Sequence, residues 1–170
     1  KNTNINLLGI EPSSNVARIA QKRGIKTINK FFNFNNVKKL NKLKHSVDVI
    51  CAANVICHIP DIKDLIKGID FLLSKKGVFI FEEPYLGSMY EKISYDQIYD
   101  EHIYIFSVHS IKKIFKIFGF DLIDVIPQKT HGGSMRYIIG RKNENQMSNR
   151  IKKYLVLEVE RLASMENKRC

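Results

Sequence analysis

The feature that most constrains the fold is an alternation of short apolar runs with segments of helical periodicity. The run Val47–Ala53 is apolar at nearly every position, which is typical of a strand buried on both faces of a parallel sheet. A helix-period pattern begins at Asp61, and another apolar run occupies residues 78–81. Strand, helix and strand in this order predict an α/β fold, with a parallel sheet and helices on both faces.

The same alternation extends along the chain. Strands are predicted at residues 7–10, 25–32, 47–53, 78–81, 120–126 and 134–139. Helices are predicted after Ser13 or Ser14, at 37–44, from Asp61 to a stop at Gly77, after Ser107, and at 151–165. The first helix is expected to bury Val16, Ala17, Ile19 and Ala20. Because the composition turns polar at residue 143, we expect one domain over 1–141 and a helical segment over 142–170 that starts a further domain.

Length and composition allow one hydrophobic core. The chain has 170 residues, of which 44% are hydrophobic. No apolar stretch reaches the roughly 18 residues of a membrane span, so no membrane association is expected. The first residues are polar and Asn-rich, which argues against a signal peptide. The chain begins with Lys1 and not Met, which suggests a piece of a longer protein.

Cysteine usage and charge argue against two further classes. Cys51, Cys57 and Cys170 are odd in number and lack CxxC spacing, so we expect no disulfide framework and no metal site. A reducing cytoplasm fits this pattern best. The net charge of +11 raises nucleic acid as a partner, but the lysines are scattered over several predicted helices and arginines are few. Nucleic-acid binding is therefore disfavoured.

Polar side chains follow the carboxyl ends of several predicted strands. Glu11 ends the first strand, Asn54 and His58 follow the central one, and Glu82 ends the run at 78–81. In parallel α/β sheets, ligands bind outside the carboxyl ends of the strands. The sequence therefore predicts a binding site at this edge.

A second candidate lies between a predicted strand and the helix after Ser107. Glu101 and His102 are adjacent there and are flanked by Tyr99 and Tyr104. Imidazole titrates near neutral pH, and a neighbouring carboxylate can orient it, so this segment is suited to proton transfer.

Glu11 points to a cofactor. An acid just beyond a strand is what Rossmann-type folds use to hold the ribose hydroxyls of an adenosine cofactor, because a carboxylate accepts two hydrogen bonds at once. The companion glycine-rich turn is expected about 20 residues earlier, and this chain starts too late to contain it.

The motifs around these residues resemble a known family. Residues 9–13 (Gly-Ile-Glu-Pro-Ser) and 54–61 (Asn-Val-x-x-His-Ile-Pro-Asp) are similar to class I S-adenosylmethionine-dependent methyltransferases. Residues 81–85 (Phe-Glu-x-Pro-Tyr), 99–102 (Tyr-x-Glu-His) and 131–136 (His-Gly-Gly-Ser-x-Arg) resemble the sugar C-methyltransferases. Those enzymes methylate nucleotide-linked 4-keto-deoxysugars. The resemblance covers about residues 7–141.

The resemblance implies a Rossmann-like class I methyltransferase sheet that lacks its first strand and glycine-rich turn. It implies S-adenosylmethionine as cofactor and a nucleotide-linked keto-sugar as substrate. The zinc-binding cysteine cluster that normally precedes this domain in the family is not in the sequence, so zinc is expected only in a region outside it.

Roles for individual residues follow from the same resemblance. Methylating carbon needs a base that removes the proton beside a ketone, after which the enolate attacks the sulfonium methyl. His102 is expected to be the base, and Glu101 to orient it or contact the sugar. Tyr99 and His58 are expected to stabilise the enolate oxygen or position the ketone. The expected cofactor-binding residues are Glu11, Pro12 and Asn54, and the expected substrate-binding residues are His131, Ser134 and Glu82.

Two alternatives stay open at this point. A methyltransferase of the same fold could act on an oxygen or nitrogen of a small molecule, which needs no enolising base, so His102 would then be dispensable. A non-catalytic basic module associated with nucleic acid would instead bind with a steep dependence on salt.

Overall fold

The computed structural model describes residues 5–166 of the chain. Its strands are β1 (Gly9–Ile10), β2 (Thr27–Ile28), β3 (Val47–Ala53), β4 (Leu73–Pro84), β5 (Phe120–Gln128) and β6 (Ser134–Arg141). Its helices are α1 (Ser14–Lys22), α2 (Phe34–Val37), α3 (Ile62–Leu72), α4 (Leu86–Lys92), α5 (Val108–Ile117) and α6 (Asn149–Glu166). Short 3₁₀ turns occupy Asn41–Leu43, Ile56–His58 and Tyr95–Gln97.

The strands form two sheets. β1 and β2 pair in parallel as a two-stranded sheet, while the larger sheet has the order β3-β4-β6-β5. In the larger sheet β3 and β4 are parallel, and β6 runs antiparallel to both β4 and β5. The predicted α/β fold is confirmed, but the sheet is mixed and not parallel throughout. The reason is the tight turn at residues 129–133, which joins β5 and β6 as a hairpin with no crossover helix.

The core lies on one face of the larger sheet. The prediction that β3 is buried on both faces was wrong: none of its residues is fully buried, and Val49 and Cys51 are exposed because no described element covers them. Along β4 the buried residues alternate with partly exposed ones, so Phe79 and Phe81 point inward beside Tyr137 of β6. Phe115 of α5 packs near both phenylalanines, with ring centroids 6.0 and 5.9 Å away. The helices α3, α5 and α6 all contribute to this core.

Two predicted helix starts are confirmed by their caps. The Asp61 carboxylate accepts a hydrogen bond from the Asp64 amide at 2.9 Å and begins α3. The Ser107 hydroxyl accepts from the Ser110 amide at 3.0 Å, and the Ser110 hydroxyl accepts in return from the Ser107 amide, so α5 begins with a capping box.

Other local predictions were wrong. Helix α3 ends at Leu72 and not at Gly77, because Gly77 lies inside β4, where a β-carbon would come within 2.7 Å of the Val47 carbonyl. The helix predicted at 37–44 is replaced by α2 and a 3₁₀ turn. The strand predicted at 25–32 shortens to Thr27–Ile28.

The packing of α1 also differs from the prediction. Ala17 is its only buried residue, whereas Val16 is 46% and Ile19 51% exposed. These side chains have the apolar spacing of a core helix, but no described residue covers them. Among residues 5–166 no helix is both long and apolar enough to cross a membrane.

Candidate active site

The polar residues singled out by the sequence fall into three groups. The histidine cluster comprises His58, Tyr99, Glu101 and His102. The strand-end cluster comprises Asn54, Glu82, Thr130, His131 and Arg136. Glu11 and Pro12 form the third group at the end of β1. Asn54 and His58 lie on one loop after β3, so the first two groups share a connecting segment.

Backbone carbonyls hold both imidazoles of the histidine cluster. Nδ1 of His58 donates a hydrogen bond to the Glu101 carbonyl at 2.7 Å, across 43 positions of sequence. Nδ1 of His102 donates to the Gln97 carbonyl at 2.8 Å. Since a carbonyl can only accept, these bonds assign the Nδ1 proton and leave Nε2 of each neutral ring as an acceptor.

Tyr99 covers the His102 imidazole. The two ring centroids lie 4.1 Å apart, and the Tyr99 hydroxyl donates to Nε2 of His102 at 2.9 Å. The His58 ring lies on the other side of the cluster, with its centroid 5.1 Å from that of His102. The Tyr99 phenol and the two imidazoles therefore lie next to one another, and the His58 ring also borders a surface depression. A cavity of about 330 Å³ is lined there by His58, Asp100, Glu101 and Ile103.

The strand-end cluster contains two residues with left-handed backbone. Asn54 has φ of 51° and His131 has φ of 48°, a region that non-glycine residues adopt at a cost. Nδ2 of Asn54 donates to Nε2 of His131 at 3.2 Å, so the two strained residues touch. Strain of this kind persists only where the surrounding structure holds it, and it is concentrated at functional sites.

Glu82 is the centre of the same cluster. Its carboxylate accepts from the Thr130 hydroxyl at 2.7 Å and pairs with the Arg136 guanidinium at 3.0 Å. Ser134 is buried and its hydroxyl donates to the Thr130 carbonyl at 3.2 Å, which fastens the turn between β5 and β6. Glu82 thus ties the end of β4 to the turn that carries His131.

Glu11 lies at the carboxyl end of β1, as its position in the sequence predicts. One carboxylate oxygen accepts from the Ser13 amide at 2.7 Å, and the side chain stays partly exposed. Asn29, after β2, donates to the carbonyls of Glu11 and Pro12 at 2.8 and 2.7 Å. Within residues 5–166 no hydrogen bond joins this group to the other two clusters.

This geometry fits the adenosine cofactor that the sequence suggests. The Glu11 carboxylate is held by one amide and still faces solvent, so it can accept from vicinal hydroxyls. Asn54 is placed directly after β3, in the larger sheet, by its own amide, which donates to the Glu82 carbonyl at 2.9 Å.

Sequence reasoning missed Glu83, whose side chain has no exposure. It accepts hydrogen bonds from the amides of Val55 and Ile56, on the loop that carries His58. The alternation along β4 contained the signal: positions 79 and 81 point inward, so position 83 does too, while Glu82 points to the strand-end cluster.

Cys57, His58 and His102 place potential metal-ligand atoms within 4.8 Å of one another. Burial, followed by the neighbouring Glu83 carboxylate, raises the pKa of the Cys57 thiol far above its ordinary value. Both nitrogens of His102 already hold hydrogen bonds. Cys51 and Cys57 are free thiols, and Cys170 lies outside the described residues.

The sequence comparisons identify the family to which this chain belongs. A family model described as a methyltransferase domain matches residues 2–125. The C-methyltransferase NovU from Streptomyces niveus is 30% identical over 129 residues, which are 76% of this chain and 31% of the relative. The chain thus spans about a third of the length of that curated relative.

Solved structures share the fold. A SAM-dependent methyltransferase from Thermotoga maritima superposes with a TM-score of 0.58 at 22% identity, covering 77% of this chain and 72% of that one. The magnesium protoporphyrin IX methyltransferase from Synechocystis, solved with bound SAH, superposes with a TM-score of 0.57 at 16% identity, covering 79% and 64%. The mixed α/β fold described above therefore matches that of class I SAM-dependent methyltransferases.

Proposed function

Since the chain belongs to the methyltransferase domain family, we propose that it transfers a methyl group from S-adenosylmethionine to a carbon atom of a nucleotide-linked 4-keto-deoxysugar. The observation that carries this proposal is the histidine cluster, in which two carbonyl-locked imidazoles lie beside a tyrosine hydroxyl. The name of the Streptomyces niveus relative, a C-methyltransferase, favours carbon as the acceptor.

We assign the cofactor to the edge formed by Glu11, Pro12 and Asn54. The Glu11 carboxylate is suited to the two ribose hydroxyls, and Asn54 is suited to line the same edge from the end of β3. S-adenosylmethionine, when bound, supplies an electrophilic methyl group, which the substrate carbon accepts as the carbon–sulfur bond breaks.

His102 is proposed as the base. Its Nδ1 proton is held by the Gln97 carbonyl, so Nε2 is the nitrogen that can take a proton from the carbon beside the ketone. Nε2 accepts a hydrogen bond from the Tyr99 hydroxyl. We propose that the ketone oxygen replaces Nε2 as the acceptor for Tyr99, which frees Nε2 and stabilises the enolate oxygen.

His58 and Glu101 complete the proton-transfer site. The Glu101 carbonyl orients His58, so Nε2 of His58 is directed by a fixed ring toward the ketone region. The Glu101 side chain is exposed beside the cavity, where it is suited to contact a sugar hydroxyl. In this scheme the proton leaves carbon for His102, and the Tyr99 hydroxyl donates a hydrogen bond to the negatively charged oxygen. His58 can donate to the same oxygen only as an imidazolium, with Nε2 protonated as well as Nδ1.

The strand-end cluster is proposed to hold the remainder of the substrate. His131 is exposed at the turn between β5 and β6. Glu82 and Ser134 shape that turn through Thr130, so their effect on substrate binding is expected through the position of His131. The division at residue 141 and a cytoplasmic setting stay predictions; the free thiols of Cys51 and Cys57 support the latter.

The experiment that tests the proposal measures proton exchange separately from methyl transfer. A nucleotide-linked 4-keto-6-deoxysugar is incubated in deuterium oxide with S-adenosylhomocysteine, and deuterium at the carbon beside the ketone is followed by mass spectrometry. We expect the wild-type protein to catalyse this exchange. His102→Gln is expected to abolish both exchange and methyl transfer, whereas Tyr99→Phe is expected to slow both about a hundredfold, as the loss of one oxyanion donor does.

Each contrary result has a defined meaning. Undiminished exchange in His102→Gln would remove His102 as the base. Methyl transfer that persists in His102→Gln, with an oxygen or nitrogen of a small molecule as acceptor, would favour the alternative methyltransferase reaction.

A further inference from the structure

Among the side chains whose burial the structure describes, Glu83 is the one acidic or basic group with no solvent exposure. A charged group is buried at high cost unless hydrogen bonds or an opposite charge stabilise it. No salt bridge involves Glu83 among the described residues. Its stabilisation must therefore come from hydrogen-bond donors, and those donors identify what it does.

The donors belong to the turn that carries His58. One oxygen, Oε1, accepts from the Val55 amide at 3.0 Å and from the Ile56 amide at 2.7 Å. These amides begin the 3₁₀ turn Ile56–His58 and would otherwise lack partners at the start of the turn. The Glu83 carboxylate thus fixes the start of the loop that follows β3, through these two hydrogen bonds.

The 3₁₀ turn Ile56–His58 also holds the segment that carries His102. The Cys57 carbonyl accepts from the amides of Ile103 and Tyr104 at 3.0 and 3.3 Å. His58 adds its own bond to the Glu101 carbonyl. Segments more than 40 positions apart in sequence are therefore joined at one turn, and Glu83 is the buried group that fixes it.

We propose that Glu83 is a positioning residue that sets the His58–His102 geometry through the turn at residues 55–58. The expected effect of Glu83 on catalysis rests on the proposed function, whereas its expected effect on the positions of the two imidazoles does not. The second oxygen, Oε2, is buried without a hydrogen-bond partner, and so is the Tyr137 hydroxyl on the neighbouring strand β6. Glu83→Gln keeps one oxygen for the two amides, and the neighbouring Cys57 sulfur is a weak acceptor for the N–H₂ group that replaces the other oxygen.

The test compares three variants by nuclear magnetic resonance. The protein is labelled in its histidine rings, and the signals of His58 and His102 are assigned by substituting each in turn. Glu83→Leu removes both acceptors, Glu83→Gln keeps one oxygen for both amides, and Glu158→Leu is the matched control. Glu158 is also buried and accepts from two backbone amides, Val108 and His109, but these lie on α5.

Glu83→Leu is expected to shift or broaden the ring signals of both histidines. The turn that carries His58 is then no longer fixed, and the segment that carries His102 is hydrogen-bonded to that turn. Glu83→Gln is expected to leave these signals close to the wild-type positions. Glu158→Leu is expected to lower the thermal midpoint while leaving them unchanged. The proposal is overturned if Glu83→Leu and Glu158→Leu affect the two rings equally, or if neither affects them.

Amide hydrogen exchange keeps the proposal testable if Glu83→Leu does not fold. A neutral acceptor binds an N–H about half as strongly as a charged one, so Val55 and Ile56 are expected to exchange roughly five to ten times faster in Glu83→Gln. The same amides are expected to keep their wild-type rates in Glu158→Gln. Equal rates in wild type and Glu83→Gln would overturn the proposed anchoring.

Kinetics then separates this proposal from the proposed function. With an active protein, Glu83→Leu is expected to lower kcat while the KM for S-adenosylmethionine stays constant, since among the described residues no hydrogen bond joins Glu83 to the Glu11 group. Glu83→Gln, which keeps one oxygen for both amides, is expected to stay close to wild type in both constants. If the imidazole signals respond as expected but His102→Gln leaves exchange and methyl transfer intact, the positioning role stands and the proposed chemistry fails.

Discussion

The two-stranded sheet with α1 and the four-stranded sheet with its helices are built from the same strand–helix pattern but differ in how they are packed. In the first region α1 buries only Ala17, and Ile19 is 51% exposed. In the second, Phe79 and Phe81 are at most 1% exposed and stack on each other with centroids 4.9 Å apart. One pattern thus produces a lightly packed region and a dense one.

The difference in packing corresponds to a difference in the role that we expect for each region. The lightly packed region carries Glu11, assigned here to the cofactor, whereas the dense region carries the strands and turns that fix the histidines. Regions with few buried apolar contacts open at low free-energy cost, and binding segments are drawn from them. Groups that must be held in one geometry are better placed on a packed core. The following substitutions test whether stability and binding divide in this way.

The largest effect is expected for Phe81→Ala. This ring contacts Phe79, Phe115 and Tyr137, so its removal leaves a cavity in the densest part of the core. We expect a loss of about 3–5 kcal/mol in the free energy of unfolding, measured by urea denaturation. If the free energy of unfolding fell only as much as it does for a substitution at an exposed position, the four-stranded region would not be the densely packed one.

The second effect is expected on binding and not on stability. Glu11→Gln keeps an oxygen for the Ser13 amide but loses the charge that strengthens hydrogen bonds to hydroxyl groups. A hydrogen bond to a charged group contributes about 1.5–3 kcal/mol, so the affinity for S-adenosylhomocysteine is expected to fall about tenfold or more. Isothermal calorimetry measures this, with exposed Glu160→Gln as the control. Unchanged affinity would remove Glu11 from the cofactor site.

A smaller effect concerns how α6 is fastened to the four-stranded region. Arg150 at the start of α6 pairs with Asp124 of β5, and this hydrogen bond is the main reason that the pKa of Asp124 is lowered. A carboxyl whose pKa is lower in the folded state stabilises that state above its ordinary pKa of about 3.9 and loses this contribution as the pH falls further. Wild type should therefore lose more stability than Asp124→Asn between pH 5 and 3. Parallel pH profiles in thermal denaturation would contradict the pairing.

The smallest effect is expected for Ile19→Ala. Since more than half of this side chain is exposed in the described structure, its truncation should change the free energy of unfolding by no more than about 0.5 kcal/mol. Ile69→Ala on α3 removes the same atoms from a fully buried site and is expected to cost about 2–5 kcal/mol. Similar costs for the two substitutions would abolish the contrast between the regions.

Where local signals agree, sequence reasoning predicted structure well. Asp61 and Ser107 cap the helices they were expected to start, because a side-chain acceptor at that position meets free amides whatever the rest of the fold does. Asn54 and Glu82 were expected at one edge, and the Asn54 amide does donate to the Glu82 carbonyl. The fold class is confirmed by the family match and the solved structures.

The failures have a common cause in contacts that are distant in sequence. Val16 and Ile19 have the spacing of buried residues, yet burial requires a neighbour, and none of the described residues supplies one. Gly77 looks like a helix stop, but it lies in β4 because the backbone of β3 approaches it closely. Glu82 and Glu83 are adjacent acids, and only the sheet decides that one faces the turn at His131 and the other the interior.

The sequence by itself determined the order of the strands and of every helix but α4, the caps that start α3 and α5, and the placement of Glu11 and Asn54 directly after strands, because these depend on periodicity and on hydrogen bonds between near neighbours. Glu82, expected beyond a strand end, lies inside β4, which continues to Pro84. Only the tertiary structure decided that β6 inserts between β4 and β5, that Nδ1 of His58 meets the Glu101 carbonyl, and that Glu83 supports the turn between them. Such contacts depend on how separate segments pack, and no local pattern along the chain records that.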